Sequence, residues 1–278
     1  MIELYNFFVE PFTYPFMQRA LVMGLTIGIV CAFLSCFLVL KGWALMGDAI
    51  SHAVLPGIIL STLINMPIII GAFIAGFITT ILIAYIKSST RLKEDSVVGI
   101  VFSFFFALGL FLFAFIETQL HLTHILFGNI LGVDADNMLK DIIILFCVFL
   151  LLLVKSKDLI LFCFDSIHLK MLGKSTRLYH YFLLLVLCLV IVISIQAVGI
   201  LFVVALLIIP GMFGFIIVKR FEQMVFLSII FSVMTIILGI LLSFHLDVAT
   251  APLIVVFQSI GILIALLCKK ERYRERSK

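Results

Sequence analysis

The chain has 278 residues, of which 64% are hydrophobic and 12% charged, with a formal net charge of +4; a soluble domain carries about a quarter charged residues. Apolar runs of about 20 residues follow one another with no polar face to turn towards water, which excludes a soluble globular fold. Inside hydrocarbon every backbone amide must bond within the protein, and the runs lack the two-residue alternation of barrel strands, so the chain reads as an all-α integral membrane protein.

In chain order, apolar spans are expected near 19–40, 48–66, 68–86, 97–116, 139–154, 180–197, 199–217, 224–243 and 251–268. These predict a polytopic bundle of about nine transmembrane helices, with a range of eight to ten. The residues before the first span lack the cationic start and small-residue cleavage site of a removable leader, so that span is expected to direct insertion. The 139–154 run is short for a full crossing, and the apolar 121–133 stretch fits a re-entrant or interfacial helix.

Lysine and arginine set the orientation, because short cytoplasmic loops hold them. With nine spans and the N-terminus outside, the segments 41–47, 87–96, 155–179, 218–223 and the tail from 269 face the cytoplasm and carry 17 of the 19 basic residues. Only Arg19 and Lys140 fall elsewhere, and the connection from 117 to 138 has three acidic residues and no basic one. The C-terminus is therefore expected to be cytoplasmic. Lipid headgroups and solvent account for the basic tail KKERYRERSK, which calls for no nucleic-acid partner. With no internal repeat and no soluble insertion, residues 1–278 read as one transmembrane domain, whose longest polar insertion is a cytoplasmic loop at 155–179. The six cysteines (Cys31, Cys36, Cys147, Cys163, Cys188, Cys268) have no metal-site spacing and read as packing residues.

Ionisable residues in or beside a span are functional candidates by default. Foremost is GDAISHAVLPG at 47–57, where Asp48 and His52 stand four apart and share a helix face. Two readings fit. In one, Asp48 caps the second span and His52 bonds a neighbouring carbonyl. In the other, carboxylate and imidazole form half of a site for manganese, iron or zinc, which a two-fold axis would complete with a second Asp and His. Pro56 and Gly57 either break the helix, exposing carbonyls to an ion, or only kink it. His121 and His124, three apart before FGN at 127–129, fit metal entry or a polar external loop. His245 and Asp247 in SFHLDVATAP fit an external gate or a plain connection, and Gln196 a pore lining or a bond to a neighbouring helix. MLGKSTR contains Gly173, Lys174 and Ser175, but His168 stands where a P-loop needs its earlier glycine and no strand precedes it. No nucleotide site or catalytic residue is expected in this chain.

The chain resembles the membrane permeases of the manganese, zinc and iron ABC importers, the ABC-3 family. FMQRAL at 16–21, MGDAISHAVLPG at 46–57, LKEDSVVGIVFS at 92–103, HILFGNILGV at 124–133 and QAVGILFVVALLIIP at 196–210 carry the resemblance, which runs nearly end to end. It implies a bacterial cytoplasmic-membrane permease that imports a divalent metal. An external metal-binding protein would deliver the ion, and cytoplasmic ATPase subunits would power a dimer of two permease copies, identical or paralogous. No cofactor is held permanently; the metal is cargo. The family associates the residues matching Asp48 and His52 with metal coordination in the path, and GDAISHAVLPG is more similar to its manganese-type members. CFDSIHLKMLG at 163–173 corresponds to the coupling helix that docks on the ATPase, bringing Phe164, Asp165, Leu172 and Gly173 into that role. Ser166, Ile167 and His168 depart from the usual pattern there. Alternatives are a stand-alone ion-coupled metal carrier, which needs more intramembrane acids than this chain has, a permease for a metal chelate such as a siderophore, and a non-transporting membrane anchor.

Overall fold

A computed structural model describes residues 10–115, 132 and 135–275. A short 3-10 turn, Glu10–Thr13, leads into eleven α-helices among the described residues. They are α1 (Pro15–Lys41), α2 (Ala44–Ala53), α3 (Leu55–Leu63), α4 (Ile68–Ser89), α5 (Glu94–Phe115), α6 (Ala135–Phe164), α7 (Ser166–Met171), α8 (Thr176–Val198), α9 (Ile200–Ile217), α10 (Phe221–Leu246) and α11 (Thr250–Glu275). With α2 and α3 taken as one 20-residue unit, nine are long and apolar enough to cross a membrane.

Successive spans run antiparallel, as short connections between long helices require. At one end Lys41 Nζ donates to Phe162 O at 3.3 Å, and at the other the Tyr14 and Phe244 rings lie 5.7 Å apart. The first of these, the basic end, also carries Lys87, Arg91, Lys93, Arg177, Lys219 and Arg220. Helix α1 is the axis of the bundle and packs along α6, α9 and α10, while α2 to α5 form a second group that α8 joins to the first.

Several expected boundaries move. The second span begins at Ala44 rather than at 48, and the fifth extends to Phe164, so the 139–154 run is the middle of a 30-residue helix and not a short crossing. The 155–179 stretch is correspondingly not a long loop. It holds the end of α6, all of α7 and the first turn of α8, leaving 165 and 172–175 as connections. The apolar stretch 121–133 lies outside the described residues except for Gly132.

Lipid tails offer no hydrophobic drive for helix association, so close backbone approach and interhelical hydrogen bonds carry it. Gly57 of α3 meets Gly71 of α4 so closely that a Cβ at Gly57 would lie 2.1 Å from Gly71 O. Pro210 interrupts α9 from within, and Ser35 of α1 splints the kink: its Oγ donates to Ile208 O at 3.3 Å and accepts from the Gly211 N–H at 2.9 Å.

Candidate functional site

The central pair is positioned by a corner between two helices. Helix α1 ends at Gly42, which takes the left-handed conformation (φ 77°), and Trp43 N–H donates back to Leu38 O at 2.8 Å. Trp43 is buried, with its ring edge-on to His180 at 5.0 Å. From this anchored corner α2 turns Met46, Ala49, Ile50 and Ala53 into the protein. Leu45, Asp48 and His52, three and four apart, fall on the opposite face.

Asp48 Oδ1 and His52 Nε2 stand 3.4 Å apart, with side-chain exposures of 42% and 22%. That separation is too long for a good hydrogen bond. Two donors at that spacing are close enough to share one ion, and the spacing by itself selects no particular metal. Phe102 and Phe106 of α5 hold the imidazole edge-on, at ring separations of 5.6 and 5.3 Å. His52 Nδ1 is buried with no hydrogen-bond partner. The capping reading fails for Asp48: Trp43 is the N-cap of α2, so Asp48 is a full turn inside the helix. The carbonyl-bonding reading finds no support at Nδ1. His52 lies about 12 Å along its span from Ala44 and about 16 Å from Leu63 at 1.5 Å per residue, close to half depth.

Beyond the pair the span bends where α2 gives way to α3 at Val54. Val54 keeps right-handed helical angles (φ −72°, ψ −22°), its N–H donates to Ile50 O at 3.1 Å, and Ile58 N–H reaches Val54 O at 3.1 Å. Pro56 has no N–H to give the carbonyl four residues earlier, so His52 O is left without its helical donor at this junction. Gly109 of α5 makes room for the bend, since a Cβ there would sit 2.9 Å from Leu55 Cβ and 3.2 Å from Pro56 Cδ.

The other candidates lie apart from this pair. Gln196 is exposed in the last turn of α8, and His245 is exposed in the last turn of α10, its ring edge-on to Phe244 at 5.4 Å. Asp247 caps α10 in the left-handed region (φ 51°), with its N–H donating to Ser243 O. All three are at the end opposite the basic one. His121 and His124 lie outside the described residues. Among the described residues no three of His, Cys, Asp and Glu gather as a metal-sized group, so Asp48 and His52 are a two-donor set.

A second constellation is at the basic end. Asp165 caps α7, its Oδ1 accepting from Ile167 N–H at 3.0 Å and His168 N–H at 2.9 Å, and Gly173 takes φ 73° beyond the helix. Leu169 is buried beneath, whereas Phe164, Ile167, Met171 and Leu172 are exposed. Ile167 and Met171, the most exposed at 70% and 79%, were not singled out as docking residues in the sequence, although their four-residue spacing with the buried Leu169 between them was visible. Lys174 pairs with Asp158 of α6, and Tyr179 of α8 donates to the same carboxylate at 2.6 Å. Lys174 thus braces helices.

Nine membrane-length helices among the described residues define a polytopic membrane protein. The ABC 3 transport family model matches residues 13–269, and the chain belongs to that family, as a permease of the bacterial inner membrane. It is 49% identical to the chelated iron transport system membrane protein YfeD of Yersinia pestis over 267 residues, covering 96% of this chain and 90% of that one. It is 46% identical to the manganese transport system membrane protein MntB of Synechocystis over 263 residues, covering 95% and 86%. Its fold superposes on a chain of PsaBC from Streptococcus pneumoniae, solved in complex with Fab, with a TM-score of 0.81, 36% identity and coverage of 94% and 95%.

Proposed function

We propose that this chain is the permease subunit of an ATP-driven importer of a divalent transition metal, with manganese the favoured cargo and Asp48 and His52 its transient ligands. The observation that carries this reading is the two-donor geometry itself: a carboxylate oxygen and an imidazole nitrogen 3.4 Å apart, near half depth in a span, with the second ring nitrogen buried and unbonded. A polar pair in that position is expensive unless it serves transport. Oxygen and imidazole donors together suit manganese, iron and zinc. The names of the relatives divide between manganese and chelated iron, and iron, in chelated form or free, is therefore the second reading.

Two donors hold an ion weakly. A second permease copy, identical or paralogous, would contribute another Asp and His across a two-fold axis and give four. Asp48 and His52 are both part-exposed on the α2 face that also carries the exposed Leu45, which supports an arrangement in which this face meets that copy. An external metal-binding protein would deliver the ion at the end opposite the basic one. ATPase subunits would bind at the basic, cytoplasmic end, on the exposed Phe164, Ile167, Met171 and Leu172 of the α7 region. The brace from Lys174 and Tyr179 to Asp158 joins that surface to α6 and α8, so closure of the ATPases would be felt as motion of spans. A four-donor cage formed only while the path is closed both accepts and releases its cargo.

The test is metal uptake by the assembled importer in proteoliposomes. Asp48→Ala and His52→Ala should each lower manganese uptake by about tenfold or more while assembly with the ATPase is retained, and undiminished uptake would refute the assignment. Competition by iron and zinc in the same assay ranks the cargo.

A further inference from the structure

At the basic end a cavity of about 610 Å³ opens between the ends of α1, α4 and α8, roofed by α7. Four cationic side chains line it, Lys41, Lys87, Lys170 and Arg177, against a single carboxylate, Glu94. None of the four is paired with a carboxylate among the described residues. Lys41 and Lys87 are satisfied only in part, by the carbonyls of Phe162 (3.3 Å) and Leu92 (2.9 Å), and Lys41 also lies over the Phe162 ring at 4.0 Å from its centroid. Grouped cations that outnumber their one counter-charge repel one another, and that cost is removed by an anion with several acceptor oxygens.

We propose that this cavity binds the phosphate headgroup of an anionic glycerophospholipid. Its level suits a headgroup, because Lys41 and Lys87 are in or beside the last turns of their spans and Arg177 is in the first turn of α8. Basic pockets between helix ends on the cytoplasmic side are where such headgroups are held. Tyr181, which lines the cavity, and Leu185 one turn deeper on α8 are both exposed, and they give the surface that continues from it into the membrane. Acyl chains fit that track, which neither a free phosphate ion nor an acidic protein segment would use. The phosphate bridges α1, α4, α7 and α8, tying the α7 surface to the spans.

The experiment is native mass spectrometry of the intact importer after exchange into bilayers of phosphatidylglycerol mixed with phosphatidylcholine. The unmodified complex should retain phosphatidylglycerol over phosphatidylcholine. The double variant Lys41→Gln with Arg177→Gln should lose that preference by roughly tenfold or more. Lys41→Arg with Arg177→Lys should keep it, as should Lys155→Gln with Lys157→Gln on the exposed face of α6. Folding is checked by recovery of the complex at its normal size, and a photoactivatable phosphatidylglycerol should label the unmodified chain next to Tyr181. Equal retention by the glutamine variant would overturn the proposal. So would displacement of the lipid by millimolar inorganic phosphate, which marks a soluble-anion site, or loss of ATPase binding with lipid retention unchanged, which marks a protein-docking site.

Discussion

His52 depends on its neighbours for both orientation and availability. Phe102 and Phe106 fix the ring, and Asp48 faces one nitrogen while the other has no partner. Replacing Phe106 by alanine keeps both ligands yet frees the imidazole, so manganese affinity should fall while the variant still assembles. Measured uptake should show a higher half-saturation concentration with little change in maximal rate, and unchanged kinetics would mean that the ring needs no such support. Ser35 is a different kind of single-residue device. Its hydroxyl bonds two backbone groups flanking Pro210, so Ser35→Ala removes both of these buried interhelical hydrogen bonds. A loss of about 1–3 kcal/mol of stability is expected, read as a lower thermal midpoint in detergent. The donor chemistry of Asp48 and His52 was legible because so few ionisable residues interrupt this sequence. The partnership of Ser35 with Pro210 was not, since it joins positions 175 apart and a serine in an apolar helix carries no periodic signal.

Among elements, the spans could be read from apolar length, and their errors have one origin. Hydropathy marks where charge begins, whereas a helix continues through charge if its backbone bonds continue. So α6 runs through Lys155, Lys157 and Asp158 to Phe164. Similarly, α2 starts at the Gly42 and Trp43 corner, before the Asp48 that had marked the polar boundary. The shift matters for function, because it moves the candidate pair from the edge of a span towards its middle. The α3 and α4 contact is the most sensitive to added volume: Gly57→Ala drives a methyl group into Gly71 O. Overpacking of this kind costs about 1–3 kcal/mol or more, and the bend beside His52 would shift with it. The expected readout is reduced stability together with reduced uptake. At α7, Ile167→Asp with Met171→Asp should abolish co-purification of the ATPase while leaving the permease folded, and normal co-purification would remove α7 from the docking surface.

For the whole molecule, composition alone placed the chain in the membrane, and lysine and arginine gather at one end of the described bundle. Among the described residues only two candidate donors meet, Asp48 and His52. The function proposed here therefore belongs to an assembly, with the ion held between copies and the force entering at α7. Manganese is paramagnetic, so the most direct measurement is pulsed electron paramagnetic resonance of Mn2+ bound to the trapped, fully assembled importer. Modulation from an imidazole nitrogen should be present in the unmodified complex and absent from the His52→Ala complex, with weaker binding in Asp48→Ala. A nitrogen signal that persists unchanged in His52→Ala would contradict the account.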